Sequence, residues 1–183
     1  MAGERPTSRM KILAAAADVA RESGPGSLSL DAVAGRAGVS KGGLLYNFPS
    51  KAKLMQGLVE EYLKEFEGAL EAATRPPKGK GKRQSLLAAY IRLSAEECGK
   101  AHPSASWILA AMAEDPDFLD PIKAFKRRLL DRLKAETPDL AGVLTAYLVL
   151  EGLRSQKLFE SDVLSDRERD LVLKSLLAGA APG

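Results

Sequence analysis

Helix-starting and helix-ending residues divide residues 7–50 into three short segments, and this division constrains the fold more than any other feature. The first segment, 7–23, repeats apolar residues at the spacing of one helix face. The run Gly24-Pro25-Gly26 ends it sharply. The apolar face consists of Ile12, Ala16, Val19 and Ala20.

The second and third segments are predicted to be two helices separated by a tight turn. Ser29 is a good N-cap, and Gly38 stands where a left-handed residue ends a helix. Ser40 caps a third helix over 41–48, which stops at Pro49. This helix is too short to stand alone, so the first two must brace it, as in a helix-turn-helix. The expected core combines Val33, Ala37, Val39, Leu44 and Phe48 with Ile12, Ala16 and Val19.

The rest of the chain is also predicted to be helical, which makes the fold class all-α with about nine helices. No sustained apolar and polar alternation indicates a strand. A fourth helix follows Ser50 and runs to about residue 73. Asp-Pro and Thr-Pro pairs mark later helix starts, and Ser165 with Glu168 forms a capping box. The five later helices are expected at about 84–99, 104–114, 117–135, 139–160 and 166–179.

Composition excludes several classes of function. A single cysteine, Cys98, excludes an internal disulfide framework and a cysteine-rich zinc site, and a single histidine, His102, excludes a multi-histidine metal site. The chain has no phosphate-binding glycine loop and no nucleophile motif, so we expect no enzyme activity, no metal and no cofactor. The most apolar run, 140–150, is about half as long as a membrane-spanning helix, and residues 1–7 are not a secretory signal. We therefore expect a cytoplasmic protein without a membrane partner.

Positive charge is concentrated in two places although the net charge is only +3. Residues 1–51 contain seven basic and four acidic side chains, and residues 75–83 contain five basic side chains and no acidic one. This asymmetry suggests an anionic partner. The 75–83 segment, RPPKGKGKR, reads as a solvated linker, with a DNA clamp as the alternative.

The outward face of the third helix carries side chains that suit DNA. Lys41 can neutralise a phosphate or donate to guanine, and Asn47 can pair with adenine or a phosphate. Tyr46 offers a hydroxyl to a phosphate and a ring to a thymine methyl group. The glycines either let the backbone approach DNA or only allow close helix packing. The candidate DNA-binding residues are Ser29, Ser40, Lys41, Gly42, Gly43, Tyr46, Asn47 and Lys51.

Residues 10–62 resemble the DNA-binding domain of the tetracycline-repressor family of bacterial transcription regulators. The resemblance rests on ILAAAADVARESG at 12–24, LDAVAGRAGVSKGGLLYNF at 30–48 and PSKAKLM at 49–55. It implies a helix-turn-helix domain over 1–50 and an effector-binding and dimerisation domain over 51–183.

The resemblance also implies that six of the candidate residues face DNA. They are Lys41, Gly42, Gly43, Tyr46, Asn47 and Lys51. Many members of the family carry Thr, Tyr and His where this chain has Gly43, Leu45 and Asn47, so no operator sequence is carried over.

Useful DNA specificity requires two copies of such a short helix, about 34–36 Å apart. The run 140–150 is apolar on nearly every face and must be covered on all sides. We expect it to form a homodimer with the last helix, as the resemblance also implies; a monomer core is the alternative. The predicted interface residues are Val143, Leu144, Leu148, Leu150, Leu171, Val172 and Leu176.

The middle helices supply candidates for a small-molecule effector site, because methionine and tryptophan suit an adaptable apolar pocket. Simple core packing explains each residue equally well. Glu151 and Arg154 can hold a polar ligand group or form a salt bridge at the dimer interface. The predicted effector residues are Leu93, Cys98, Trp107, Ile108, Met112, Phe125, Leu129 and Tyr147.

The sequence therefore predicts a ligand-responsive transcriptional regulator that binds double-stranded operator DNA. It is expected to be a repressor, whose effector changes the spacing of two recognition helices. The alternative is an all-helical protein-interaction or scaffold protein without DNA binding. The salt dependence of DNA affinity separates the two, since phosphate contacts weaken steeply with salt.

Overall fold

The computed structural model describes residues 7–23, 28–75, 84–98 and 105–180, and within these ranges the chain forms helices and no strands. The all-α prediction is confirmed. The predicted Gly24-Pro25-Gly26 stop, His102 and nearly all of the 75–83 segment lie outside the described residues. The helices are α1 (Ser8–Ser23), α2 (Leu30–Ala37), α3 (Lys41–Asn47), α4 (Lys51–Thr74), α5 (Leu86–Cys98), α6 (Ala105–Glu114), α7 (Asp120–Ala135), α8 (Leu140–Leu158) and α9 (Asp166–Gly179).

The helix boundaries in the first 50 residues follow the predicted caps. The Ser29 hydroxyl accepts a hydrogen bond from the Ala32 amide at 3.1 Å. Gly38 adopts the left-handed conformation, with φ of 66°, and its amide donates to the carbonyls that α2 leaves open. Ser40 caps α3 in the same way as Ser29 caps α2. The predicted capping box of Ser165 and Glu168 is also present, at the start of α9.

The start of α7 and the cap of α8 differ from the prediction. Residues 116–119 form a turn, and α7 begins at Asp120 instead of at 117. The reason is that the Asp115 carboxylate accepts from the Asp117 amide at 3.2 Å, which stabilises a turn. Helix α8 is capped by Asp139, whose carboxylate accepts from the Gly142 amide at 2.9 Å, and not by Thr137.

The described residues belong to two compact units. One is drawn from Met1–Tyr62 and Ala101–Lys123, the other from Leu63–Lys100 and Ala124–Gly183. The predicted division into a DNA-binding domain over 1–50 and an effector-binding and dimerisation domain over 51–183 stays a prediction.

The core of the first unit confirms the predicted packing of the first three helices. Ile12, Ala16, Val19, Val33, Leu44 and Phe48 are buried, and Ala37 and Val39 pack beside them. Two later residues, Ala111 of α6 and Phe118 of the following turn, are buried in the same core. Hence α6 and its turn stabilise the N-terminal helices directly.

Gly57 allows α4 to lie against the end of α3. A Cβ atom at this position would be 2.7 Å from the Phe48 ring and 3.1 Å from Leu13. Carbon atoms do not approach so closely, so a larger residue would push α4 away.

The core of the second unit is built around aromatic rings. Phe66 meets Tyr90 and Phe125 edge-on, with ring centroids 6.3 and 6.1 Å apart. Val143 and Leu150 of α8 are buried in this core as well. Among the described residues, no helix combines the length and hydropathy that crossing a membrane requires.

Candidate DNA-binding surface

Helix α3 is anchored by one face and exposes the other. Leu44 is fully buried, whereas Tyr46, two residues further on, is 90% exposed. The sequence requires this division, because residues two apart on a helix point to nearly opposite sides. The side chain of Tyr46 is therefore available to a partner and takes no part in the core.

Ser29 and Ser40, both predicted to face DNA, serve first as helix caps. The Ser40 hydroxyl oxygen accepts from the Gly43 amide at 3.0 Å, as the Ser29 oxygen does from Ala32. Each hydroxyl keeps its proton, which can still be donated to another acceptor.

Close helix packing does not explain the glycine at position 42. A Cβ atom there would meet nothing within 4 Å, whereas at Gly43 it would lie 3.3 Å from the Ser40 hydroxyl. The close approach of the Gly42 backbone to DNA stays a prediction.

Asn47 is half-buried and bound to its own helix. Its amide nitrogen donates to the Gly43 carbonyl at 2.9 Å. One amide proton is therefore occupied, while the side-chain oxygen is available as an acceptor.

Lys41 has an acidic neighbour that the sequence pattern did not indicate. The ammonium group lies 3.0 Å from one carboxylate oxygen of Asp31 and 3.1 Å from the other. The two residues are ten positions apart, but the α2–α3 turn brings them together. Lys41 thus reaches the outer surface already paired.

A further cation, Arg9 of α1, was not predicted. Its guanidinium group lies 5.2 Å from the centre of the Phe48 ring and 3.4 Å from the Glu60 carboxylate. Arg9 lies in the first turn of α1, and no local sequence signal connects it with the end of α3.

Lys51 is the first residue of α4, where open backbone amides and the helix dipole favour an anion. Its side chain is half-buried. Together with Lys41 it is a candidate for holding phosphate.

Replacing Lys51 by alanine is expected to weaken binding to all DNA sequences alike and to reduce the salt slope by about one. Affinities for an operator and for a random duplex, measured at several salt concentrations, test this. An unchanged slope would remove Lys51 from the phosphate contacts.

The turn after α6 is fastened to the first turns of α4. The Lys53 ammonium lies 2.6 Å from the Asp115 carboxylate, and the Gln56 side chain donates to the Asp117 carbonyl at 3.2 Å. The hydrogen bond from Lys53 lowers the pKa of Asp115 below its usual value. Phe118 of the same turn is fully buried in the core of the first unit, to which this segment belongs.

The predicted effector residues lie in two cores. Leu93, Phe125, Leu129 and Tyr147 gather in the core of the second unit, while Ile108 and Met112 pack against that of the first. The side chains of Cys98 and Trp107 lie outside the described residues.

Glu151 forms salt bridges within the chain, and whether it also forms one at a dimer interface stays a prediction. It accepts from Arg154 at 3.0 Å and from Lys126 of α7. Burial raises the pKa of Tyr90, and the charges of Arg154 and Glu151 also act on its hydroxyl group. A polar cluster therefore lies beside the apolar core of the second unit.

The predicted interface residues divide between core and surface. Val143 and Leu150 are buried within the chain, and Val172 and Leu176 are half-buried. Leu144, Leu148 and Leu171 are 42%, 66% and 59% exposed. Within the described part of the chain only one side of α8 is thus covered, and Leu140, Leu144 and Leu148 form an exposed apolar stripe.

Comparison with known structures finds the same fold along nearly the whole chain. A transcriptional regulator from Rhodococcus sp. Rha1 is 20% identical, with 95% of this chain and 96% of that chain covered and a TM-score of 0.69. The multidrug binding protein EbrR, complexed with malachite green, is 21% identical, with 97% and 100% covered and a TM-score of 0.63. A transcriptional regulator from Aquifex aeolicus VF5 is 20% identical, with 94% and 97% covered and a TM-score of 0.52.

Two family models match the sequence, whereas no curated protein does. Residues 12–58 match the model of bacterial regulatory proteins of the tetR family. Residues 84–181 match the tetracyclin repressor-like C-terminal domain, which alone spans more than half of the chain. The chain therefore belongs to the tetracycline-repressor family and is a DNA-binding transcription regulator, not an enzyme.

Proposed function

We propose that the protein is a homodimeric repressor in the cytoplasm, which places α3 of each chain in the major groove of an operator and releases the DNA when a small molecule binds. The observation that carries the DNA contact is the exposure of Tyr46 beside the fully buried Leu44. A helix so firmly anchored presents a rigid outer face, as groove recognition requires.

The surrounding groups support the same role. Gly42 leaves open space beside Tyr46, which allows the helix backbone to come close to the DNA. Lys41 and Lys51 are the cations at the starts of α3 and α4. In this proposal phosphate contacts fix the register, and Tyr46 contacts the base edges or the sugar-phosphate backbone.

Selection of genomic DNA fragments by the purified protein tests this proposal. We expect an inverted repeat whose half-sites are about one helical turn apart, bound with an affinity that falls steeply with salt. Absence of selection, or affinity independent of salt, would favour the protein-interaction alternative.

Tyr46→Ala is expected to weaken operator binding about tenfold or more while leaving the fold and the oligomeric state unchanged. The exposed side chain contributes nothing to the core, so the loss must arise from the DNA contact. Operator titration and thermal unfolding of the same preparation measure both quantities. Leu109→Ala, at another exposed apolar position, is the control; loss of folding in Tyr46→Ala would contradict the assignment.

The proposed dimer uses the exposed stripe of α8 and Leu171 of α9. An apolar patch of this kind is rarely left in water by a stable monomer. Val143 and Leu150 support the interface from within by fixing the opposite face of α8. In this arrangement residues 1–50 bind DNA, and residues 51–183 supply the dimer and the effector site.

The proposed effector is a small, largely apolar molecule bound beside Leu93, Phe125, Leu129 and Tyr147. EbrR was solved with malachite green and with ethidium, which suggests these dyes as first probes. Residues 51–62 of α4 belong to the first unit and residues 63–74 to the second, so a displacement of α4 can reach α3. We expect dye and operator to weaken each other by the same factor, about 5–150-fold. Independent binding of the two would contradict this coupling.

A further inference from the structure

We infer that Asp31 determines DNA selectivity as a positioning residue: it holds Lys41 at the α2–α3 turn and thereby lowers the affinity for DNA that lacks the operator. The inference rests on the proposed operator binding. It assigns a role to an acidic residue within the basic N-terminal region.

The side chains of Lys41 and Asp31 form a close ion pair. Lys41 is the first residue of α3, and Asp31 is in the first turn of α2. The Lys41 ammonium is nearly equidistant from both Asp31 oxygens, at 3.0 and 3.1 Å. The carboxylate thus lies beside the Lys41 ammonium at the start of α3.

The ion pair of Asp31 and Lys41 contributes little to the free energy of folding. Both side chains are exposed, and solvent-exposed ion pairs of this kind contribute little to folding. In a complex with DNA, the phosphate groups attract the Lys41 ammonium as well. A carboxylate 3.0 Å from a DNA-facing cation lies far inside the screening length of about 8 Å at physiological salt, so it competes directly with phosphate.

This competition affects the two kinds of DNA differently. Binding to random DNA depends almost entirely on phosphate attraction, which Asp31 reduces by one cation. An operator also offers base edges, and the Lys41 ammonium has three protons, so it can remain on Asp31 while it donates to guanine. The pairing of Lys41 with Asp31 therefore weakens binding to random DNA more than binding to the operator.

The chain offers a matched control. Asp18 pairs with Arg21 at 2.7 Å on α1, and both side chains are exposed. Asp18→Asn removes the same charge from the same unit as Asp31→Asn does, but it frees no cation of α3. A general effect of net charge would appear in both variants.

The experiment compares wild type, Asp31→Asn and Asp18→Asn on the selected operator and on a random duplex between 50 and 200 mM salt. For Asp31→Asn we expect the salt slope on random DNA to steepen by about 0.9, so that affinity falls about threefold more over this range. We expect the ratio of operator to random affinity to fall about fivefold at 50 mM. Asp18→Asn should leave the ratio and the slope nearly unchanged.

A double variant tests whether the effect passes through Lys41. In the double variant Asp31→Asn/Lys41→Gln, the increase in affinity for random DNA that Asp31→Asn causes should disappear. Persistence of the gain, equal gains on operator and random DNA, or the same change in Asp18→Asn would overturn the inference. Wild-type protein that binds no duplex would contradict the proposed function itself. Thermal unfolding identifies any loss of folding, in which case Asp31→Ser serves as the second variant with the same expected result.

Discussion

Phe118→Ala is expected to lower the free energy of unfolding by about 3–5 kcal/mol, the largest stability effect among the substitutions considered. Phe118, in the turn after α6, is fully buried in the core that the N-terminal helices form. Its removal leaves a cavity that the short helices α2 and α3 cannot fill, since other core residues already anchor them. Urea unfolding followed by circular dichroism measures the change.

The control for this substitution is Leu109→Ala, because Leu109 lies on α6 but is 55% exposed. We expect it to change the free energy of unfolding by no more than about 0.5 kcal/mol. A loss below about 1 kcal/mol in Phe118→Ala would show that the turn does not stabilise the N-terminal core.

Leu148→Glu is expected to convert the proposed dimer into a monomer and to lower operator affinity about 100-fold or more. The glutamate would place a charge in the middle of the exposed stripe of α8, where a partner chain could bury it only at a large cost. A monomer loses the advantage that two linked half-site contacts give, which is typically about 10²–10⁴-fold. Analytical ultracentrifugation and operator titration measure the two effects.

Ala124→Glu adds the same charge at an exposed position of α7 and is the matched control. It should remain dimeric and retain operator affinity. A dimeric Leu148→Glu protein would show that the stripe of α8 is not the interface, whatever its exposure in the single chain.

Much of the fold was predictable because the signals are local. The Ser29 and Ser40 caps and the left-handed Gly38 each act within four residues of the helix end that they fix. The pattern of the sequence therefore contained the boundaries of α2 and α3, and with them the exposed face that carries Tyr46.

Contacts between distant segments were not predictable in this way. The burial of Phe118 in the N-terminal core joins segments that are far apart in the chain, and no local sequence pattern indicates it. The pairing of Lys41 with Asp31 depends on the exact angle of the α2–α3 turn.

The run 140–150 illustrates a different limit. Apolar residues on every face give no periodicity, so the sequence could not separate the buried Val143 and Leu150 from the exposed Leu144 and Leu148. Only the position of the neighbouring helices decides which side of α8 the chain itself covers.

The close approach at Gly57 has a consequence for how a signal reaches the DNA. The α4 backbone at Gly57 packs directly against the Phe48 ring, so the two cannot move closer together. In the proposed mechanism, a displacement of α4 at Gly57 would therefore move Phe48, the residue that follows α3, together with it. The coupling between effector and DNA would then need no separate hinge between α3 and α4.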